Sequence, residues 1–393
     1  MNLYVIDDAA RTPIANAEVR VGAISGTTDA DGLFVADGVT GPQDVVAKAP
    51  GHRAELWLGA NGANMTMNLV ADNVATPASA NLSGSITGFT GLTVAAGHAK
   101  LALVTYSNTD DLGDPANEIA QTTENQNLCF GVQAADPCNF TVTTRTGKVA
   151  LVAAIFDRDL KGTADPADDT SVLLAWAVRQ GLDVTGGANQ TGVDLTIVSA
   201  SNTQSVSAEL GSPPSSLTTV GAIVGIELGD EGIAQLPAFL TPSAPSLMVP
   251  KLAGLTGATG YRLTAIANDG STTNGAQSVV LRRGLSGPTL AAGDWLAPPT
   301  AVALTRTGGS WTNAANATAH GVELAQGGTR LLNVTVLDGR TTVTMPDLVT
   351  LPSGSLTATV NAIGADNFDV TNFSLDADRD KLNRVGGQST TIN

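Results

Sequence analysis

The chain is 393 residues long, about two to three times an ordinary domain, so several folded units are expected. Its formal charge of −16, from 36 acidic and 20 basic residues, excludes nucleic acid as the main partner, because phosphate binding needs a basic stripe. A hydrophobic share of 42% supplies enough apolar surface for packed cores, but with only 4% aromatics those cores must be built mostly from Val, Leu, Ile and Ala.

Met1 runs directly into Leu3, Tyr4, Val5 and Ile6, which read as a strand. Neither a basic n-region nor an apolar h-region precedes it, so any export signal is expected to have been removed. No apolar run reaches the eighteen residues of a spanning helix, so no membrane span is expected. Val19 and Val21 alternate with Glu18 and Arg20, giving one buried and one wet face. Asp29-Ala30-Asp31-Gly32 then marks a tight turn, because Gly tolerates positive φ. The same alternation, punctuated by Gly, Pro, Asn and Asp every eight to twelve residues or so, continues to the C-terminus and predicts an all-β sandwich series. Helix candidates are short, at residues 230–236 and 376–383. Residues 71–80 and 199–207 are poor in large apolar side chains and read as linkers.

A loose internal repeat stands out: a Gly-containing turn, then an alternating strand with Ala near its end. It occurs at residues 41–49, 146–157, 259–269 and 353–362, preceded by short apolar runs at 33–35, 140–142, 252–255 and 343–348. It reads as a hairpin in mid-sandwich, the small Ala allowing packed sheets to approach closely. Four units follow, at 1–71, 80–199, 205–297 and 298–393. The last two are candidates to merge through strands 321–324 and 331–337.

The first unit carries a resemblance. Pro13-Ile14-Ala15-Asn16-Ala17-Glu18-Val19-Arg20-Val21, then Thr28-Asp29-Ala30-Asp31-Gly32-Leu33-Phe34, then Val45 to Gly51, resemble the carboxypeptidase regulatory-like, or transthyretin-like, modules. His52 stands where that family usually has an aromatic residue. The resemblance covers about residues 1–71 and implies a small β-sandwich without catalytic residues, serving as a spacer, stability or binding module. With the repeat it gives the fold class: all-β, tandem immunoglobulin/transthyretin-like β-sandwich domains.

Cys129 and Cys138 lie nine positions apart in an Asn-rich stretch, a spacing that suits a hairpin-closing disulfide; two free thiols are the alternative. A disulfide implies an oxidising compartment. Together with only six lysines, it points to a secreted, periplasmic or cell-surface protein. The strongest chemical candidate is the acidic stretch 157–169. There Asp157 and Asp159 can face one cation together, and Gly162 permits a turn returning Asp165, Asp168 and Asp169. Such hard oxygen ligands suit a structural Ca²⁺ at about 10⁻⁴–10⁻³ M, although no Glu closes an EF-hand loop. A plain polar hairpin connection is the alternative. Acidic clusters at 376–380 and 110–114 read as a solvated turn and a loop.

His52, His98 and His320 are widely separated, and neither a zinc-hydrolase motif, a nucleophile elbow nor a phosphate loop occurs, so no enzyme is expected. Trp57, Trp176, Trp295 and Trp311 fall one per unit and read as packing residues, Trp295 across the third junction. The expected role is that of a non-catalytic exported or surface protein, structural or adhesive, with other surface proteins or glycans as partners. The alternatives are a polysaccharide- or peptide-binding protein and the accessory region of a secreted hydrolase.

Overall fold

The computed structural model describes residues 1–72, 78–109, 127–131, 136–163, 165, 167–271, 274–370 and 381–393. The chain is all-β and sandwich-type, its described helical turns being short 3-10 segments. The four repeats fold as strands Gln43–Lys48, Gly147–Asp159, Gly260–Asn268 and Leu356–Ala365. Ala47, Ala153, Ala265 and Ala358 within them are fully buried, where a methyl-sized side chain lets opposed layers approach.

The hairpin expected between each repeat strand and the short apolar run before it does not form; each repeat strand pairs antiparallel with the strand that follows it. Leu33–Val35 pairs with Asn2–Asp7, and Asn139–Arg145 pairs with Ser79–Thr87, so neither bonds to the repeat strand that follows it. In the second body, Phe140 and Val142 meet Val149 and Leu151 in one core from opposite layers. Gly147, at φ 94°, makes the corner between those layers. Residues 252–254 form a 3-10 turn instead of a strand, and the run at 343–348 is a strand only over Thr342–Thr344.

Residues 230–236 are not helical either. A 3-10 turn at Gly229–Glu231 leads into strand Ile233–Leu240, in which Ala234 and Leu236 are buried and Gln235 is exposed, a period of two. Of the stretch 376–383, the part up to Asp380 lies outside the described residues, and Leu382 opens strand Leu382–Ile392. The linker read at 199–207 is a 3-10 turn followed by strand Thr203–Glu209, anchored by fully buried Val206. Residues 73–77 of the other linker lie outside the described residues.

One twelve-stranded sheet joins distant parts of the chain. Its order is Ile233–Leu240, Thr219–Glu227, Gly260–Asn268, Ala276–Leu285, Leu382–Ile392, Leu356–Ala365, Ala319–Gln326, Thr329–Val336, Ala54–Ala60, Gln43–Lys48, Glu18–Val21, Ile24–Thr27. Strands 319–326 and 329–336 pair with each other. The third and fourth bodies instead join through the C-terminal strand Leu382–Ile392, antiparallel to both Ala276–Leu285 and Leu356–Ala365. Gly386 in that strand has no room for a side chain: a Cβ would sit 2.4 Å from the Ala297 carbonyl oxygen. The fourth body meets the first at a parallel seam, Leu332 to Val336 against Ala54 to Leu58.

The cores follow the sheets across these joins. Val46, Ala54, Leu56 and Leu58 pack with Leu304, Trp311, Val322, Val334 and Val360. Ala150, Val152, Ala154 and Trp176, on the outer face of the second body, pack into the core of the third with Val206, Val224 and Leu263.

Candidate functional site

Strands Gly147–Asp159 and Thr170–Val184 form one long hairpin, and the acidic stretch is its tip. Asp157 and Asp159 do face the same way, but the group they meet is His98 on the neighbouring strand His98–Tyr106. His98 Nδ1 lies 2.7 Å from Asp157 Oδ1, and Nε2 lies 3.8 Å from Asp159 Oδ1. Asp159 also binds Lys161, accepting from its backbone N–H at 2.9 Å and from its ammonium. The Lys161 ammonium is the largest cause holding the Asp159 carboxyl below the usual carboxylate range. Asp169 returns not to this pair but to Arg158, whose Nε donates to it at 2.7 Å, leaving the carboxylate side chain 8% exposed. Asp165 accepts from the Ala167 N–H inside its own turn, and Asp168 is exposed.

The tip is therefore a set of ion pairs. Among the described residues no three His, Cys, Asp or Glu side chains are arranged to hold a metal. Asp157, Asp159, Asp165, Asp168 and Asp169 do not fit a calcium cage as they stand, because three of them are matched to cationic side chains or His98. Arg158 and Lys161, inside the acidic run, were the sequence signal for this outcome; His98, 59 residues before Asp157, had none. The acidic clusters at 110–114 and 376–380 lie outside the described residues.

Cys129 and Cys138 form a disulfide with Cα atoms 5.4 Å apart, tying strand Asn127–Gly131 to the start of Asn139–Arg145. Cys138 is buried with Phe89 and Phe140 in the second core.

Among the described residues, the most perturbed acid lies at the seam between the first and fourth bodies. Glu55 stands opposite Asn333 in the parallel pairing and accepts hydrogen bonds from Asn333 Nδ2 at 2.8 Å, Trp57 Nε1 at 3.1 Å and Thr335 Oγ1 at 3.5 Å. Loss of water outweighs these donors and pushes the carboxyl up to about 8. Nothing in the local alternation around Glu55 signals this, since the burial comes from a strand almost 280 residues away.

The remaining histidines are spent on structure. His52 places Nε2 2.9 Å from Asp7 Oδ2 and Nδ1 3.1 Å from the Pro50 carbonyl, clasping the turn before Ala54–Ala60 to the first strand. Asp7 is held below its ordinary value first by the Ala10 N–H and also by His52. His320 is buried beside Trp311, ring centroids 5.6 Å apart, and burial pushes its basicity down.

No family model matches the chain, and no curated protein does. Among solved structures, the tip fimbrial protein Mfa3 from Porphyromonas gingivalis, truncated at its C-terminus, is 12% identical, covering 53% of this chain and 79% of its own, with a TM-score of 0.18. A tetra-tandem repeat from the extending region of a large adhesion protein is 11% identical, covering 99% and 98%, with a TM-score of 0.13. A Ca²⁺-stabilised, ice-binding adhesin of an Antarctic bacterium is 12% identical, covering 99% and 96%, with a TM-score of 0.14. Scores this low carry no argument about this chain.

Proposed function

We propose that the chain is a non-catalytic exported or cell-surface protein with a structural and adhesive role. The observation that carries this reading is the twelve-stranded sheet, which makes one hydrogen-bonded body out of strands from both ends of the chain and its middle. A pull between distant points of such a sheet is shared by ladder bonds along several strands. The ionisable groups support it, because His52 is committed to Asp7, and His98 and Arg158 to the acidic tip, instead of converging on a cleft as an acid–base pair.

The disulfide supports an oxidising, extracytoplasmic location. A formal charge of −16 favours solubility there and disfavours anionic membranes. Other surface proteins or glycans are the partners this role requires. The direct test is to display the chain on a non-adherent bacterial cell and measure attachment to protein- and glycan-coated surfaces. Attachment above the empty display host is expected. Turnover in a broad hydrolase substrate screen, or cysteines found reduced in the native cell, would overturn the reading.

A further inference from the structure

Four segments of the third and fourth bodies meet around an open cleft of about 820 Å³, within the range of about 300–1,000 Å³ typical of ligand sites. Trp295, Glu209, Asp294, Asn316 and Arg384 supply its chemistry, and Pro213 and Pro214 part of its wall. Trp57, Trp176 and Trp311 are buried, at 5%, 1% and 4% exposure, whereas Trp295 is only half-buried. It does not pack across the junction as a plain core residue. Its Nε1 donates to the Leu210 carbonyl at 2.6 Å, and it packs beside Leu217 and Ala267 of the third body. The indole is thus held in one orientation by bonds that no ligand has to supply.

The charge on this lining is unbalanced. Arg384, its cation, is already committed to Asp366 at 2.7 Å and to Asn383 at 3.2 Å, with its side chain 15% exposed. Glu209 and Asp294 are exposed, and neither has an ion-pair partner among the described residues. A fixed indole that lines one cleft with two carboxylates lacking ion-pair partners among the described residues attracts a cation by its ring quadrupole and by charge-assisted hydrogen bonds. A neutral ligand leaves both carboxylates without an ion-pair partner.

We infer that this cleft takes an Arg or Lys side chain of a partner polypeptide, the cationic group lying against Trp295 and pairing with Glu209 and Asp294. The inference rests on the surface-protein reading for its biological setting, but its chemistry stands on the cleft alone.

Calorimetric titration of the full chain with capped Gly-Arg-Gly and Gly-Lys-Gly peptides tests it, with Gly-Glu-Gly, Gly-Ser-Gly and maltotriose as comparators. Binding of the two cationic peptides is expected. Glu209→Gln with Asp294→Asn should weaken it about tenfold, while Asp31→Asn with Asp37→Asn, the same charge loss on exposed acids of the first body, should change it less than about twofold. Absence of cationic-peptide binding at millimolar concentration, equal weakening in the two double variants, or preferential binding of maltotriose would each overturn the inference. Attachment of displaying cells that survives the Glu209/Asp294 double substitution would separate the two readings, leaving the adhesive one intact.

Discussion

Glu55 offers the sharpest test of the seam between the first and fourth bodies. A carboxyl whose folded value is about 8, against an ordinary 4.5, is protonated in the folded protein where the unfolded chain is ionised. The unfolded state therefore binds fewer protons between these values, so the contribution of this group to stability is complete below 4.5 and falls as pH rises to about 8. Each pH unit is worth about 1.4 kcal/mol at most, or about 3.4 kcal/mol by pH 7, and residual solvent contact at this partly buried site reduces that to about 2 kcal/mol. Glu55→Gln keeps the oxygen that accepts from Trp57, Asn333 and Thr335 and removes the ionisation. Urea denaturation followed by tryptophan fluorescence should give equal stabilities for the two proteins near pH 4.5. A gap of about 2 kcal/mol in favour of the variant should open by pH 7. Using the difference between the proteins cancels every other titrating group, His320 included. A gap that stays flat between pH 4.5 and 8, or a variant less stable at pH 8, would refute the reasoning.

Burial holds His320 less basic than free histidine, so the unfolded chain takes up a proton below about 6.5 that the folded chain refuses; the stability of wild type relative to His320→Met, read by the same denaturation, should therefore fall as pH drops through that value. Reduction of Cys129–Cys138 opens a short loop and should cost about 2–3 kcal/mol, read as a lower melting temperature in reductant that Cys129→Ala with Cys138→Ala reproduces. Gly386→Ala forces a methyl group onto the Ala297 carbonyl and should destabilise by about 1–3 kcal/mol in chemical denaturation, whereas Gly339→Ala, where nothing lies within 4 Å, should cost less despite its positive φ. Chelator should leave the melting temperature unchanged, because His98, Lys161 and Arg158 already serve Asp157, Asp159 and Asp169; a drop reversed by calcium would contradict this pairing.

Strand content was legible because period-two alternation is a local property: Glu18–Val21 and Leu356–Ala365 bury alternate residues along their lengths. The partners of those strands were not. Leu33–Val35 and Gln43–Lys48 are neighbours in sequence and look like a hairpin, yet they belong to different sheets, because pairing is decided by which core each apolar face must enter. Residues 230–236 misled for a related reason. Two acids before an apolar run imitate a helix start, and only the pairing with Thr219–Glu227 gives the segment its period of two. The disulfide needed nothing but spacing. The acidic stretch was visible as a cluster, but His98 arrives from another strand, and Glu55 acquires its environment from Asn333 and Thr335, far along the chain. Local pattern fixes element type, while charge environments depend on topology.

The first, third and fourth bodies share one twelve-stranded sheet, bridged by Leu382–Ile392 and by the seam at Ala54–Ala60. Native-state hydrogen exchange tests it most directly. The amides of Ala54–Ala60, Thr329–Val336, Leu382–Ile392 and Ala276–Leu285 should exchange together, through the same large opening, with protection matching that of Gly260–Asn268. Rapid exchange of the 54–60 and 382–392 amides, while Gly260–Asn268 stays protected, would show separate bodies and contradict the account.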